Sequence, residues 1–139
     1  MIGVLIVSHG RLAAELRSAM EHVVGPQTQV ETVCINADDD IEMRRREIGT
    51  LMAGLDSGEG VLVLTDMFGG TPSNLAISQA NTEQSEVISG VNLPMLVKLA
   101  KVRVGNTLSE CVSCAQKAGR KYIAAASDIM PRCKKSDHA

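Results

Sequence analysis

Two short loops hold residues that could do chemistry together. Ser8-His9-Gly10 follows a continuous apolar run at 2–7, and Asp66-Met67-Phe68-Gly69-Gly70-Thr71-Pro72-Ser73-Asn74 follows another at 61–65. A carboxylate that takes the Nδ1–H of an imidazole fixes its tautomer and leaves Nε2 free as a nucleophile. His9 and Asp66 form such a pair if the two runs are neighbouring strands. Gly69-Gly70 lets the backbone approach a ligand closely, and a helix opening at Thr71-Pro72 aims N–H groups at the same place. That assembly suits a transferred phosphoryl group, which needs positioning and stabilisation of its equatorial oxygens. The amides around Gly69 and Gly70 and the Thr71 hydroxyl are the candidate donors. Each loop alone has a plainer reading: a lone histidine is commonly structural, and Thr71-Pro72 also reads as an ordinary capped βα turn.

Other chemistries fit less well. The chain has no Gly-x-x-x-x-Gly-Lys loop for a nucleotide and no Gly-x-Ser-x-Gly elbow. Ser8 is too close in sequence to His9 to serve as its nucleophile partner, and it stands where an Arg-His-Gly phosphatase would have arginine. His22 falls late in a helix and His138 in the tail, so neither supplies a second catalytic histidine. One histidine and one carboxylate are too few ligands for a tight zinc site, so no metal is expected. Cys111-x-x-Cys114 resembles a redox or zinc half-site, but it falls within a helix and lacks a second ligand pair, so packing explains it better. Arg44-Arg45-Arg46 reads as a solvated helix face, with a partner-docking patch as the alternative.

The elements that must position the loops are an alternation of strands and helices. Residues 2–7 and 61–65 are apolar without alternation, the mark of strands buried on both faces of a parallel sheet. Leu12, Leu16, Ala19, Met20 and Val23 recur at helical spacing up to Gly25-Pro26. A strand at 29–35 follows. Asp38 to Asp40 then offer N-capping carboxylates to a helix striped by Ile41, Ile48, Leu51, Met52 and Leu55. Beyond Thr71-Pro72 come a strand at 86–91, a short helix from about Pro94, and a helix with Leu108, Cys111, Val112 and Ala115 on one face, ended by Gly119. Residues 122–126 suit a last short strand. The pattern predicts an α/β fold with a mostly parallel sheet. In open sheets of this kind, ligands gather at the carboxyl ends of the strands, where both loops lie.

Composition narrows the function. The chain has 139 residues, 45% of them hydrophobic, with a net charge of -2, which suits one folded domain and argues against disorder. Phe68 and Tyr122 are its two aromatics, and seven Met join the aliphatic residues in filling the core. Without a basic excess or stacking platforms, nucleic-acid binding and an aromatic sugar groove are disfavoured. No apolar run approaches the ~20 residues of a membrane helix, and the N-terminus lacks a signal-peptide pattern. Four cysteines (Cys34, Cys111, Cys114 and Cys133) are too sparse for a disulfide scaffold, so a reducing cytoplasm is the expected location.

The two loops, taken with Gly90-Val91-Asn92-Leu93-Pro94-Met95-Leu96, resemble the mannose-type IIA component of the bacterial phosphoenolpyruvate-dependent sugar phosphotransferase system. The likeness runs from the first strand to about residue 120. It implies a three-layer α/β sandwich whose four-stranded, mostly parallel sheet can gain an antiparallel fifth strand, here 121–126, exchanged between subunits of a homodimer. It assigns residues 1–130 to one such domain and 131–139 to a polar tail. It also implies a phosphohistidine carrier without metal or nucleotide cofactor. His9 would take a phosphoryl group from the phosphocarrier HPr and pass it to a IIB component for sugar uptake at a membrane permease. Asp66 would orient and polarise His9, Gly70 and Thr71 would supply loop donors, and Met67 and Phe68 would line the docking rim. Many members have Trp where Phe68 stands, and many transport members continue into a IIB domain, so the expected acceptor is a separate protein. The alternative is a regulatory protein whose phosphorylation state is read by a kinase or transcription factor. A branch that donates phosphate to dihydroxyacetone kinase usually lacks the Gly-Gly-Thr-Pro-x-Asn pattern and ranks lower.

Overall fold

The computed structural model describes residues 1–81 and 83–130, so the expected tail at 131–139 and Cys133 lie outside the described residues. The elements are β1 (Gly3–His9), α1 (Leu12–Val24), β2 (Val30–Ile35), α2 (Ile41–Leu55), β3 (Val61–Thr65), α3 (Thr71–Gln79), β4 (Ser85–Ser89), α4 (Leu93–Val102), α5 (Leu108–Lys121) and the single turn α6 (Ala126–Ile129). The four strands form one sheet in the order β2-β1-β3-β4, and every pairing is parallel.

Strand alternation divides the core in two. Val4 and Ile6 of β1 and Leu62 and Leu64 of β3 face one side, where Ala13 and Met20 of α1, Leu96 and Leu99 of α4 and Ala115 of α5 cover them. Leu5 and Val7, with Val61 and Val63, face the other side under Ile48 and Met52 of α2 and Leu75 and Ala76 of α3. Both central strands therefore carry apolar residues on both faces until their carboxyl ends, where Ser8, His9 and Thr65 stand. The result is a three-layer α/β sandwich with two dry cores holding β1 and β3 rigidly side by side.

Several boundaries differ from the sequence reading, each for a local reason. β2 starts at Val30 because Gln29 takes a left-handed conformation (φ 53°) and its side chain donates to the carbonyls of Leu55 and Met1. β4 covers Ser85–Ser89 rather than 86–91, ending before Gly90 turns the chain at φ 85°. In α2 the capping residue is Asp40, whose carboxylate accepts the Glu42 and Met43 N–H groups. Ile41 stays exposed, as do Leu12 and Val23 at the ends of α1.

Gly119 does not end α5, which runs to Lys121. It is buried against α4, and a Cβ there would fall 2.8 Å from Met95 Cε. Glycine at this position serves close helix packing, not termination. The last short strand does not form in the single chain: α5 extends to Lys121 and α6 begins at Ala126, leaving Tyr122 to Ala125 exposed. The free edge of β4 is left unpaired by this segment among the described residues.

Arg103 is a feature the sequence did not reveal. It is buried at 2% exposure, and its guanidinium donates to the carbonyls of Gln29 (3.1 Å) and Thr28 and to the Gln27 side chain (3.3 Å). Burial lowers its pKa from the usual guanidinium value, and backbone carbonyls replace the lost water. Arg103 thus ties the end of α4 to the turn entering β2. Arg103→Met should lower stability by about 3 kcal/mol in urea denaturation, because charged hydrogen bonds are lost and carbonyls are stranded. A loss below about 1 kcal/mol would show that the tie is dispensable.

Candidate functional site

The site forms where the strand order reverses. β1 and β3 are adjacent, and their following connections leave on opposite faces, α1 on one and α3 on the other. That divergence opens a crevice at the carboxyl edge of the sheet. His9 is the last residue of β1 and Asp66 directly follows β3.

Asp66 grips His9 twice. Its Oδ2 accepts the His9 backbone N–H at 2.9 Å and lies 2.7 Å from Nδ1. Its Oδ1 accepts the Met67 N–H at 3.0 Å. Partial burial pushes the Asp66 carboxyl up, but the hydrogen bonds from His9 and Met67, and the charge of His9 in its protonated form, outweigh it, so its pKa falls below the usual carboxylate value. Asp66 is therefore ionised at neutral pH and accepts only, which requires the proton of neutral His9 on Nδ1. Nε2 is left with a lone pair. The carboxylate is largely covered (13% exposed), while the imidazole is half open to solvent (51%).

Gly70 stands against that ring. A Cβ at this position would lie 2.7 Å from His9 Cε1 and 3.0 Å from Nε2, so any side chain would displace the imidazole. Gly70 is also the N-cap of α3, with Thr71 and Pro72 as the first two helical residues. Thr71 before Pro72 reads from the sequence as the cap, and the structure sets the cap one residue earlier. The shift by one residue brings the positive end of the α3 dipole up to Nε2. Pro72 has no N–H, and the first intrahelical bond runs from Asn74 N–H to the Gly70 carbonyl (3.1 Å), so the Thr71 and Ser73 amides stay outside the helix ladder. Gly69, at φ 88°, supplies the turn that brings the loop back to the helix.

The structure thus brings together His9, Asp66 and Gly70, with Thr71 following at the exposed start of α3. Met67 and Phe68 project from the loop, both about 60% exposed. Phe68 also borders a groove of about 580 Å³ that runs between β4 and α5 past Asn92 to Ile123.

Two supporting residues were missed by the sequence reading. Ser8, fully buried, accepts the Ala13 N–H on Oγ at 2.6 Å and donates to the His9 carbonyl. It therefore consumes one amide of the α1 terminus and leaves α3 as the better anion site. Asn92 caps α4 by accepting the Met95 N–H (3.0 Å) and donates to the Gly119 carbonyl of α5 (2.8 Å). Its place before Leu93-Pro94 was the available signal, since Asn followed by proline in the first turn marks a helix start.

The other singled-out residues lie elsewhere. His22 is exposed in the last turn of α1, the far end of that helix from His9. Cys111 is buried, with Sγ 3.8 Å from the Val102 carbonyl, and burial pushes its thiol pKa up. Cys114, a turn later, is half-buried. Arg44 and Arg45 are not free cations: Arg44 binds Asp39 (2.9 Å), Glu47 and the Cys34 carbonyl, and Arg45 binds Glu42.

Residues 3–116 match the family EIIA-man, described as the PTS system fructose IIA component. The chain belongs to the mannose-type IIA family of the phosphotransferase system. It is 33% identical over 126 residues to the PTS system mannose-specific EIIAB component of Escherichia coli K12, covering 89% of this chain and 39% of that protein. The chain thus spans about two-fifths of the length of that relative. It is 24% identical over 135 residues to the PTS system fructose-specific EIIA component of Bacillus subtilis, covering 96% and 92% of the two chains. The crystal structure of phosphotransferase system component EIIA from Streptococcus agalactiae superposes with a TM-score of 0.83 at 26% identity, over 92% of this chain and 99% of that one.

The contact between Gly70 and the His9 ring gives a direct test. Gly70 has an ordinary φ of -95°, so Gly70→Ala should cost under about 1 kcal/mol of stability while displacing the imidazole. The His9 ring resonances should shift strongly in its NMR spectrum. Unchanged His9 resonances would mean the ring does not rest on Gly70.

Proposed function

We propose that this chain is a phosphohistidine carrier of the phosphotransferase system, with the phosphoryl group held on His9 Nε2. The observation that carries this reading is the 2.7 Å contact between Asp66 and Nδ1, which leaves Nε2 as the free nucleophile beside the N-terminus of α3. The donor would be phospho-HPr and the acceptor a IIB component. In the first step the Nε2 lone pair forms a bond to phosphorus as the P–N bond of the donor phosphohistidine breaks. That bonding pair returns to the donor ring. His9 becomes a phosphorylated imidazolium that keeps its Nδ1–H on the Asp66 carboxylate, whose charge offsets the new cation. The Gly70 and Thr71 region supplies amides, and Thr71 a hydroxyl, to the equatorial oxygens as charge builds on them. The chemistry needs no metal or nucleotide. The second step reverses the first with IIB as acceptor.

Met67 and Phe68 give protein partners an apolar rim beside the reacting nitrogen. A cytoplasmic location follows from these partners, and no helix among the described residues is long and apolar enough to cross a membrane. The relatives' names are sugar-specific, one for mannose and one for fructose, which favours a carrier in uptake over a purely regulatory protein.

Incubation with phosphoenolpyruvate, enzyme I and HPr should place one acid-labile phosphoryl group on the protein. His9→Ala should take none, and label persisting in that variant would refute the assignment. Asp66→Asn should fold normally yet accept phosphate on the order of a hundredfold more slowly, since a neutral amide cannot offset the imidazolium. A wild-type rate would remove Asp66 from the mechanism.

A homodimer built by strand exchange is part of the same proposal. Among the described residues β4 pairs on one side only, with β3. Ile123 is 78% exposed at the end of the groove beside β4. A partner's 121–126 segment laid along β4 would cover both. Light scattering should give twice the chain mass, and truncation after Lys121 should give a monomer. A full-length monomer at micromolar concentration would contradict the exchange.

A further inference from the structure

A second groove, of about 750 Å³, lies on the outer surface of the α4–α5 pair, away from β4 and the His9 crevice. Its apolar lining includes Val23 of α1, Leu93, Pro94 and Val97 of α4, Ala118 of α5 and, in the single chain, Tyr122. Lys98, Lys101, Lys117 and Lys121 rim it. Among the described residues these are all four lysines, and no Asp or Glu lines the groove. None of the four is in an ion pair among the described residues, whereas Arg11, Arg17, Arg44 and Arg45 all are. Lys121 instead stands over the Tyr122 ring, 5.5 Å from its centre.

The spacing has a shape. Lys98 and Lys101 are one turn apart on α4, and Lys117 and Lys121 one turn apart on α5. The two cationic rows therefore follow two adjoining helices and share the groove with its apolar lining. From Leu93 to Lys101 the groove extends about 12 Å, the length of roughly two to three helical turns. A groove between packed helices accepts the ridge of a third. In a chain of net charge -2, gathering every described lysine around one apolar strip is a local reversal of sign.

We infer that this groove docks an acidic amphipathic helix of a partner protein, with the apolar face of that helix on Val97 and Ala118 and its flanking carboxylates on the lysine rows. The charge pattern selects an acidic partner, and the length and paired-helix walls select a helix. The surface is separate from the His9 site and does not depend on what His9 carries.

The probe is a fluorescent synthetic peptide of about four turns, with leucines at i, i+3, i+4 and i+7 flanked by glutamates. Titrated with the full chain at low salt, it should bind saturably, measured by anisotropy. Lys98→Glu combined with Lys117→Glu should weaken binding about tenfold or more. Changing the peptide's glutamates to lysines should restore binding to that double variant and abolish it for wild type. Equal binding of a scrambled peptide of the same composition would overturn the inference, as would indifference to the charge reversal. Binding to phosphatidylglycerol vesicles without binding to the peptide would also overturn it, and would mark a lipid-facing surface instead.

Discussion

The double grip of Asp66 on His9 is the interaction on which the rest depends. One carboxylate oxygen takes both the backbone N–H and the ring Nδ1 of the same residue, and so fixes where His9 is and which nitrogen faces outward. A bond to the backbone alone would leave the ring to rotate. A bond to the ring alone would leave its position to the loop. Together they demand that the ends of β1 and β3 be held side by side, which the parallel pairing and the two apolar cores provide.

Much of the surrounding structure can be understood as protecting that geometry. Ser8 is buried one residue before His9 and ties the strand end to the first turn of α1. Gly10 N–H bonds to the Ile35 carbonyl at 2.8 Å, fixing the next residue to β2. On the other side, the absence of a side chain at Gly70 lets α3 begin against the ring. The imidazole is thus held on one edge by a largely covered carboxylate and approached on the other by a helix terminus. Those are complementary demands, since the carboxylate favours a cationic ring and the helix terminus favours an anion beyond it.

The sheet and the His9–Asp66 pairing were legible in the sequence because they rest on local signals. The short β-branched-rich apolar runs at 2–7 and 61–64 fit doubly covered strands, and in a parallel sheet the residues directly after them emerge at the same edge. Less legible were features that depend on contacts distant in the chain. Arg103 reads as a surface cation, yet it bonds to carbonyls more than 70 residues away. Gly119 reads as a helix stop, whereas its role is set by Met95 across the α4–α5 contact. The cap at Gly70 rather than Thr71 is a one-residue matter that Gly-Gly-Thr-Pro leaves open. The segment after α5 reads as a strand from its composition, but Tyr122 to Ala125 pair with no strand of the described residues.

The central claim is that Asp66 holds the proton on Nδ1 so that Nε2 carries the phosphoryl group. The most direct measurement is NMR of the phosphorylated protein with ¹⁵N-labelled histidine, reading ³¹P coupling to the individual ring nitrogens. The account predicts coupling to Nε2 of His9, with Nδ1 still protonated. Coupling to Nδ1, or a phosphoryl group on any other residue, would contradict it.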